Sequence, residues 1–119
     1  MNVAILGASA KPERYANKAQ VLLAKHGHTV FPVSPTGAEI LGIRGFSSLK
    51  EITEKIDTIT LYLGPERLTP LIGEIISAKP RRVIFNPGTE SAEAMAAFEK
   101  AKIACEEACT LVMLKTGSF

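Results

Sequence analysis

The chain has 119 residues, 46% of them hydrophobic, so it is long enough for one buried core and too short for two lobes. Fourteen Lys and Arg residues against twelve Asp and Glu residues give a net charge of +2, too small an excess to predict nucleic-acid binding. No apolar run approaches the roughly 18 residues that cross a bilayer, and we expect a single domain over residues 1–119 that is soluble and cytoplasmic.

Strand patterns alternate with helix patterns along the whole chain. Apolar or β-branched runs predict strands at 3–6, 29–33, 58–63 and 82–85, with a short fifth strand at 103–105. Helix patterns follow at 17–27, 48–51, 68–76, 91–101 and 110–114. This alternation predicts an α/β fold with a five-stranded parallel sheet and helices on both faces.

Three local features refine these helices. In the first helix, the Val21 and Leu22 side chains and the stem of Lys25 are expected on the buried side. Ser48 and Glu51 have the spacing of a capping box. Thr69 as N-cap with Pro70 at the first helical position would explain a proline near the start of the third helix.

Glycine, proline and polar residues gather directly after the predicted strands. The four turns are Gly7-Ala8-Ser9, Val33-Ser34-Pro35, Leu63-Gly64-Pro65 and Asn86-Pro87-Gly88. The carboxyl ends of parallel strands meet at one edge of the sheet, and ligands bind beyond that edge. The first turn is the most informative, because a glycine between a strand and a helix exposes amides beside a helix N-terminus where a phosphate can bind.

The first loop departs from the glycine pattern of common dinucleotide-binding enzymes. The second and third glycines of Gly-x-Gly-x-x-Gly are replaced by Ser9 and Pro12, and Ser34 stands where an acid would bind the ribose. Both departures argue against NAD. The loop instead carries Ser9, Lys11 and Arg14, a hydroxyl and two cations able to meet phosphates.

Residues suited to catalysis are few. Cys105 and Cys109 lie four apart, and no second cysteine pair or nearby histidine completes a zinc site. We expect both thiols to be reduced and largely buried. Cys109 as nucleophile and Glu90 as acid or base are the only catalytic candidates. No histidine is predicted beside Cys109, and Glu90 suits a helix N-terminus.

Short segments along nearly the whole chain match the pattern of one family. They are Gly7-Ala8-Ser9 with Asn17-Lys18, then 31–35, 40–42, Ser48-Leu49, 83–90 and 109–114. On these segments the chain resembles the small single-domain CoA-binding proteins, which are related to the CoA-binding domain of the succinyl-CoA synthetase α subunit. The resemblance implies a three-layer, Rossmann-like fold that binds coenzyme A.

The resemblance also implies a site, residue by residue. The part near the nucleotide phosphates would consist of Gly7, Ala8 and Ser9, with Lys11, Arg14 and Asn17 nearby. Ser34 and Pro35 would border the adenosine, although the family often has Asn in place of Ser34. Further along the sheet, the cleft would be lined by Asn86, Pro87 and Gly88. An apolar trough for the thiol arm could be supplied by Leu63, Pro65, Pro87 and the arm around Ile40-Leu41.

The expected function is binding of coenzyme A or an acyl-CoA without catalysis, since the phosphohistidine and second domain of the synthetase have no counterpart here. Two alternatives stay open: an NAD(P)-type nucleotide-binding redox sensor, and a small acyl-CoA enzyme that uses Cys109 and Glu90. The expected partner is a small molecule rather than nucleic acid or a membrane. The apolar arm at 40–46 leaves a protein partner or a homodimer open.

Overall fold

The structure, a computed structural model, describes residues 1–119 and contains one five-stranded parallel sheet. The strands are β1 (Asn2–Leu6), β2 (Thr29–Val33), β3 (Thr58–Leu61), β4 (Arg82–Phe85) and β5 (Ala104–Glu107). The helices are α1 (Tyr15–Lys25), α2 (Pro65–Leu68), α3 (Ile72–Ala78), α4 (Ala92–Lys100) and α5 (Thr110–Thr116), with single 3-10 turns at Leu49–Glu51 and Thr69–Leu71. No helix is long and apolar enough to span a membrane.

The strand order β2-β1-β3-β4-β5 places a topological switch between β1 and β3. Both neighbours pair with β1 in parallel, so that Leu6 lies opposite Val33 on one side and Leu61 on the other. After β1 the chain moves outward to β2, whereas after β3 it moves in the opposite direction to β4. The loops that leave β1 and β3 therefore diverge and open a crevice at their carboxyl ends.

The sheet is covered on both faces, which confirms the predicted three-layer α/β architecture. On one face, the even-numbered β1 residues Ala4 and Leu6 belong to a 17-residue core that includes Leu68, Ile75 and Phe98 of α2, α3 and α4. On the other face, Val3 and Ile5 pack against α1 and α5 in a smaller cluster of eight buried residues. The alternation follows from the period of two along a strand.

The segment between β2 and β3 protects the outer edge of the sheet. The Phe46 amide donates to the Pro32 carbonyl at 2.9 Å, and the Ser34 amide donates to the Phe46 carbonyl at 3.0 Å. Ile40 and Ile43 pair across a two-residue turn, and the buried Gln20 side chain donates to the Ile40 carbonyl at 3.0 Å. This arm covers a strand edge that would otherwise present unpaired backbone groups.

The predicted buried face of α1 is partly wrong. Val21 is 50% exposed and Lys25 is exposed, whereas Ala19 and Leu23 are fully buried. Leu22 packs only at the margin of the core. The small residues Ala16 and Ala19 let α1 approach the sheet closely, so the larger Val21 turns toward solvent.

The predicted start of the third helix is also wrong. Gly64 is the N-cap and Pro65 the first residue of α2, which continues through the 3-10 turn at Thr69–Leu71 into α3. Pro70 interrupts the helix because it has no amide to donate. The apolar face from Leu68 to Ile76 nevertheless packs against the core as predicted.

Two smaller predictions need adjustment. Ser48 is the N-cap of the 3-10 turn, but Glu51 accepts from the Ser47 amide at 2.7 Å, so the capping box is displaced by one residue. The fifth strand runs over Ala104–Glu107 and is shifted toward the C-terminus relative to 103–105. Its glutamates hide it from a hydrophobicity pattern, and Glu106 lies opposite Ile84 in the sheet.

Candidate functional site

A cavity of about 440 Å³ lies at the carboxyl ends of β1, β3 and β4. The loop after β1 and the start of α1 form one wall, and the turns after β3 and β4 form the others. Eight of the residues predicted for the site line this cavity together: Gly7, Ala8, Ser9, Lys11, Arg14, Leu63, Pro87 and Gly88. It therefore occupies the crevice at the switch point.

Gly7 makes the tight turn at the end of β1. Its φ of +89° lies in the left-handed region that favours glycine. The expectation that the amides of this turn face outward is wrong for two of the three residues. The Gly7 and Ala8 amides both donate to the Val33 carbonyl, at 3.1 and 3.0 Å, so the turn is bonded to the end of β2. Only the Ser9 amide has no protein acceptor.

Asn17 holds the first loop in place through a hydrogen bond to the backbone of that loop. Its side-chain amide donates to the Ser9 carbonyl at 2.9 Å, and the residue is 4% exposed. The Ser9 hydroxyl in turn accepts from the Lys11 amide at 3.1 Å. The structure thus places Asn17 outside the cavity, where it fixes the loop that carries Ser9 and Lys11.

The charges around the cavity are of one sign. Lys11, Arg14 and Arg67 line it, and no Asp or Glu does. None of the three cations lies within 4.0 Å of a carboxylate, since the one salt bridge of the protein joins Arg82 and Glu106 elsewhere. Unpaired cations around one cavity attract an anion such as a phosphate, and guanidinium groups bind it in a bidentate manner.

The N-terminus of α1 points into the same cavity. Tyr15 and Ala16 line it, and their backbone amides donate to no protein group. The first turn of α1 contains no acidic residue, and Arg14 gives the helix no side-chain cap. Free amides at a helix N-terminus, beside three cations, provide hydrogen-bond donors and partial positive charge for an anion.

A second cavity of about 480 Å³ opens on the other side of Gly7. Ser34 and Pro35, the residues predicted to border the adenosine, line this cavity. Most of its surface is apolar and includes Leu71 and Pro70 from the segment that joins α2 and α3, although Glu66 and Arg67 also line it. An apolar slot of this kind suits a flat aromatic ring better than it suits a phosphate.

Leu63 contributes to both cavities, whereas Pro65 lines neither. Pro65 is instead the first residue of α2. The arm residues Ile40 and Leu41 also lie outside both cavities: Ile40 is buried, and Leu41 is 54% exposed at the tip of its turn. The predicted apolar trough is therefore assembled only in part.

Asn86 lies beneath the site rather than in it. Its side-chain amide donates to the Thr60 hydroxyl at 2.7 Å and to the Leu61 carbonyl at 2.8 Å, and its Oδ1 accepts from the Thr110 amide at 2.8 Å. At 2% exposed it joins β3, β4 and α5. Pro87 and Gly88, the next two residues, are both exposed at the surface of the cavity.

Sequence reasoning missed Arg67 and Tyr62, which also line the cavity. Arg67 follows the Gly64-Pro65 turn by two residues, and recognising Gly64 as an N-cap would have placed Arg67 in the first helical turn at the ligand edge. Tyr62 follows β3 directly. Burial raises the pKa of its phenol to about 12, although the nearby Thr110 and Thr60 hydroxyls act in the opposite direction. The Tyr62 hydroxyl is buried and forms no hydrogen bond, because the two threonine hydroxyls near it bond to each other at 2.8 Å instead.

The two catalytic candidates, Glu90 and Cys109, line neither cavity. Glu90 accepts from the Gly88 amide at 2.9 Å. Both cysteines are free thiols of intermediate burial, and burial, followed by the negative charge of Glu99, raises the pKa of Cys105 to about 11. No group of three or more His, Cys, Asp or Glu residues is arranged to hold a metal ion.

The sequence profile of a family described as a CoA binding domain matches residues 1–115. An uncharacterized protein of Bacillus subtilis (strain 168), YneT, is 32% identical over 74 residues. That match covers 62% of this chain and 55% of the relative, so this chain spans about half the length of the curated protein it matches.

Solved structures share the fold over nearly the whole chain. The crystal structure of an uncharacterized protein superposes with a TM-score of 0.93 at 40% identity, covering 99% of this chain and 97% of the other. A hypothetical protein from Pyrococcus horikoshii OT3 gives 0.90 at 30% identity, with coverages of 96% and 81%. An acetyl-coenzyme A synthetase of Ca. Korarchaeum cryptofilum gives 0.75 at 16% identity, over 87% of this chain and 25% of that one, which shows the fold alone.

Proposed function

The chain belongs to the CoA binding domain family, and from this premise we propose that it binds coenzyme A or an acyl-CoA in the crevice between β1 and β3, without catalysis of its own. The observation that carries the proposal is the cavity with three unpaired cations, no carboxylate and the free N-terminus of α1. Coenzyme A brings several negative phosphate charges, which need such a surface.

The two cavities suit the two halves of the ligand. The diphosphate lies against Lys11, Arg14 and the first turn of α1 in this proposal. The adenosine then occupies the apolar cavity beside Ser34 and Pro35, and the pantetheine arm follows the turns after β3 and β4. This division places apolar parts of the ligand on apolar walls and phosphates on cations.

The proposal includes that the protein catalyses no reaction of its own. Cys109, the candidate nucleophile, is the N-cap residue of α5. It has no histidine to activate it, because His26 bonds to the Leu22 carbonyl and His28 to the N-terminal amine. Glu90 is exposed, and its carboxylate accepts a hydrogen bond from the Gly88 amide. A binding module that delivers or senses an acyl-CoA requires neither residue.

Isothermal titration with coenzyme A tests the proposal. We expect saturable binding, and we expect the double variant Lys11→Gln/Arg14→Gln to bind about tenfold to hundredfold more weakly, because two charge-assisted contacts to phosphate are lost. Lys100→Gln is the matched control, since Lys100 is exposed at the end of α4 and lines neither cavity.

No heat at millimolar coenzyme A would overturn the proposal. Thermal-shift scans with NADH and with acetyl-CoA separate the alternatives: stabilisation by NADH but not by coenzyme A would favour a redox sensor. Release of free thiol from acetyl-CoA that is lost in Cys109→Ser would favour an enzyme.

A further inference from the structure

The two cavities meet at three residues: Gly7, Leu63 and Arg67 line both. A ligand that occupies both cavities therefore passes between the backbone of the first turn and the first turn of α2. The side chains at this junction differ sharply in chemistry. Gly7 has none, Leu63 is apolar, and Arg67 alone carries a charge and hydrogen-bond donors.

Gly7 cannot offer a charged or hydrogen-bonding contact to a ligand at this junction. The Gly7 amide is already bonded to the Val33 carbonyl at 3.1 Å. A side chain cannot be added there either, because a Cβ on Gly7 would lie 2.7 Å from the Tyr62 carbonyl oxygen. Any charged contact at the junction must come from the α2 side.

The backbone of Arg67 is fixed in place, and its side chain is free to make such a contact. Its amide donates to the Gly64 carbonyl at 3.1 Å, and the next residue, Leu68, is fully buried, so the backbone of α2 is anchored on the core. The Arg67 side chain is exposed and makes no hydrogen bond or ion pair within the protein. The neighbouring Glu66 lines only the apolar cavity, and it is not paired with Arg67.

We propose that Arg67 is a specificity-determining residue that binds the diphosphate joining the two halves of the ligand. It thereby selects nucleotides that carry a diphosphate over the nucleoside or the pantetheine arm alone. Lys11 and Arg14 line only the cavity of about 440 Å³, so they add affinity for a phosphate there whether or not the second cavity is filled. The inference rests on the proposed function and adds to it the residue that binds the diphosphate where the two cavities meet.

The experiment uses four ligands that divide the molecule: dephospho-CoA, ADP, adenosine and pantetheine. Each is titrated against the wild-type protein, Arg67→Gln, Arg67→Lys and Arg81→Gln. Arg81 is the matched control, because it is an exposed arginine at the opposite edge of the sheet, just before β4, and lines neither cavity.

We expect Arg67→Gln to weaken dephospho-CoA and ADP about tenfold or more, and to leave adenosine and pantetheine within twofold of wild type. Arg67→Lys keeps the charge without the planar fork and should restore part of the affinity. Arg81→Gln should change none of the four.

The inference is overturned if wild type binds dephospho-CoA and Arg67→Gln binds it equally well, and in that case the proposed function stands. It is also overturned if Arg67→Gln weakens all four ligands alike, since a loss of that kind reports a disturbed site rather than a lost diphosphate contact. Failure of wild type to bind both coenzyme A and dephospho-CoA overturns the proposed function and this inference together.

Discussion

A Cβ atom on Gly7 would lie 2.7 Å from the carbonyl oxygen of Tyr62. The turn after β1 and the end of β3 are therefore in direct backbone contact at the switch point, where the Tyr62 amide also donates to the Leu6 carbonyl at 2.8 Å. The glycine serves two purposes here: it permits a φ of +89° and it leaves room for the neighbouring chain. Gly7 therefore has a structural role, and any binding of a phosphate depends on the loop that follows it.

Gly7→Ala should destabilise the protein by about 2 kcal/mol, because a left-handed alanine is strained and the clash forces β1 and β3 apart. The free energy of unfolding, from urea denaturation, measures the loss. Gly64→Ala is the matched control. Gly64 lines the same cavity, has an ordinary φ of −71°, and has open space where a Cβ would lie. We expect it to stay within about 0.5 kcal/mol of wild type, and equal losses in both variants would contradict this account.

Asn86→Ala should cost about 3 kcal/mol of unfolding free energy. The substitution removes three hydrogen bonds and leaves the Thr110 amide and the Leu61 carbonyl buried without partners. The control is Asn2→Ala, which removes one exposed side-chain bond, to the Lys55 carbonyl, and should cost less than about 1 kcal/mol. If Asn86→Ala kept wild-type stability but weakened ligand binding, Asn86 would be a contact residue rather than a brace.

The fold was predictable because most of its strands are short apolar runs, which can be recognised in the sequence without knowledge of the tertiary contacts. Four of the five strands lie where the hydrophobic runs place them, with ends that shift by one or two residues. The fifth carries Glu106 and Glu107 at the edge of the sheet, where one side is solvated, so its pattern is weak. The Gly64-Pro65 pair was assigned to a turn, although an N-cap followed by Pro at the first helical position has the same sequence.

The site was less predictable, because a polar residue after a strand can face either the ligand or its own neighbours. Asn86 directly follows β4 and Asn17 lies in the first turn of α1, and both side chains are directed into the protein to satisfy backbone groups. The outcome depends on distances between elements far apart in sequence, such as Asn86 and Thr110. Arg67 was missed for a related reason: it reaches the cavity only because α2 begins at Pro65.

Tyr62→Phe should stabilise the protein by about 1 kcal/mol at neutral pH, because the buried phenol oxygen has no partner and its removal leaves none unsatisfied. The advantage should grow in alkali. The phenol pKa is raised from 10.0 to about 12 by burial, so above pH 10 the unfolded chain releases this proton more readily than the folded protein does. Wild type therefore loses stability relative to the variant between pH 10 and 12, by about 2 kcal/mol.

Urea denaturation at pH 8, 10 and 11 measures the difference between the two proteins. Tyr15→Phe provides the control, because Tyr15 is 68% exposed and offers no buried phenol to ionise. A difference between wild type and Tyr62→Phe that stays constant from pH 8 to 11 would mean that the Tyr62 phenol is not buried as the structure has it.

Cys105 should resist alkylation at pH 8, although it is a free thiol. Burial raises its pKa to about 11, and the charge of Glu99 acts in the same direction. At pH 8 only about one thiol in a thousand is then ionised, against roughly a quarter for an ordinary cysteine. In the Cys109→Ser variant, where Cys105 is the only thiol, we expect iodoacetamide to react at least about a hundredfold more slowly with the folded protein than with the chain unfolded in guanidinium. The rate for the folded protein should rise about tenfold per pH unit up to about pH 11. Rapid alkylation at pH 8 would show instead that the Cys105 thiol is open to solvent and available for chemistry.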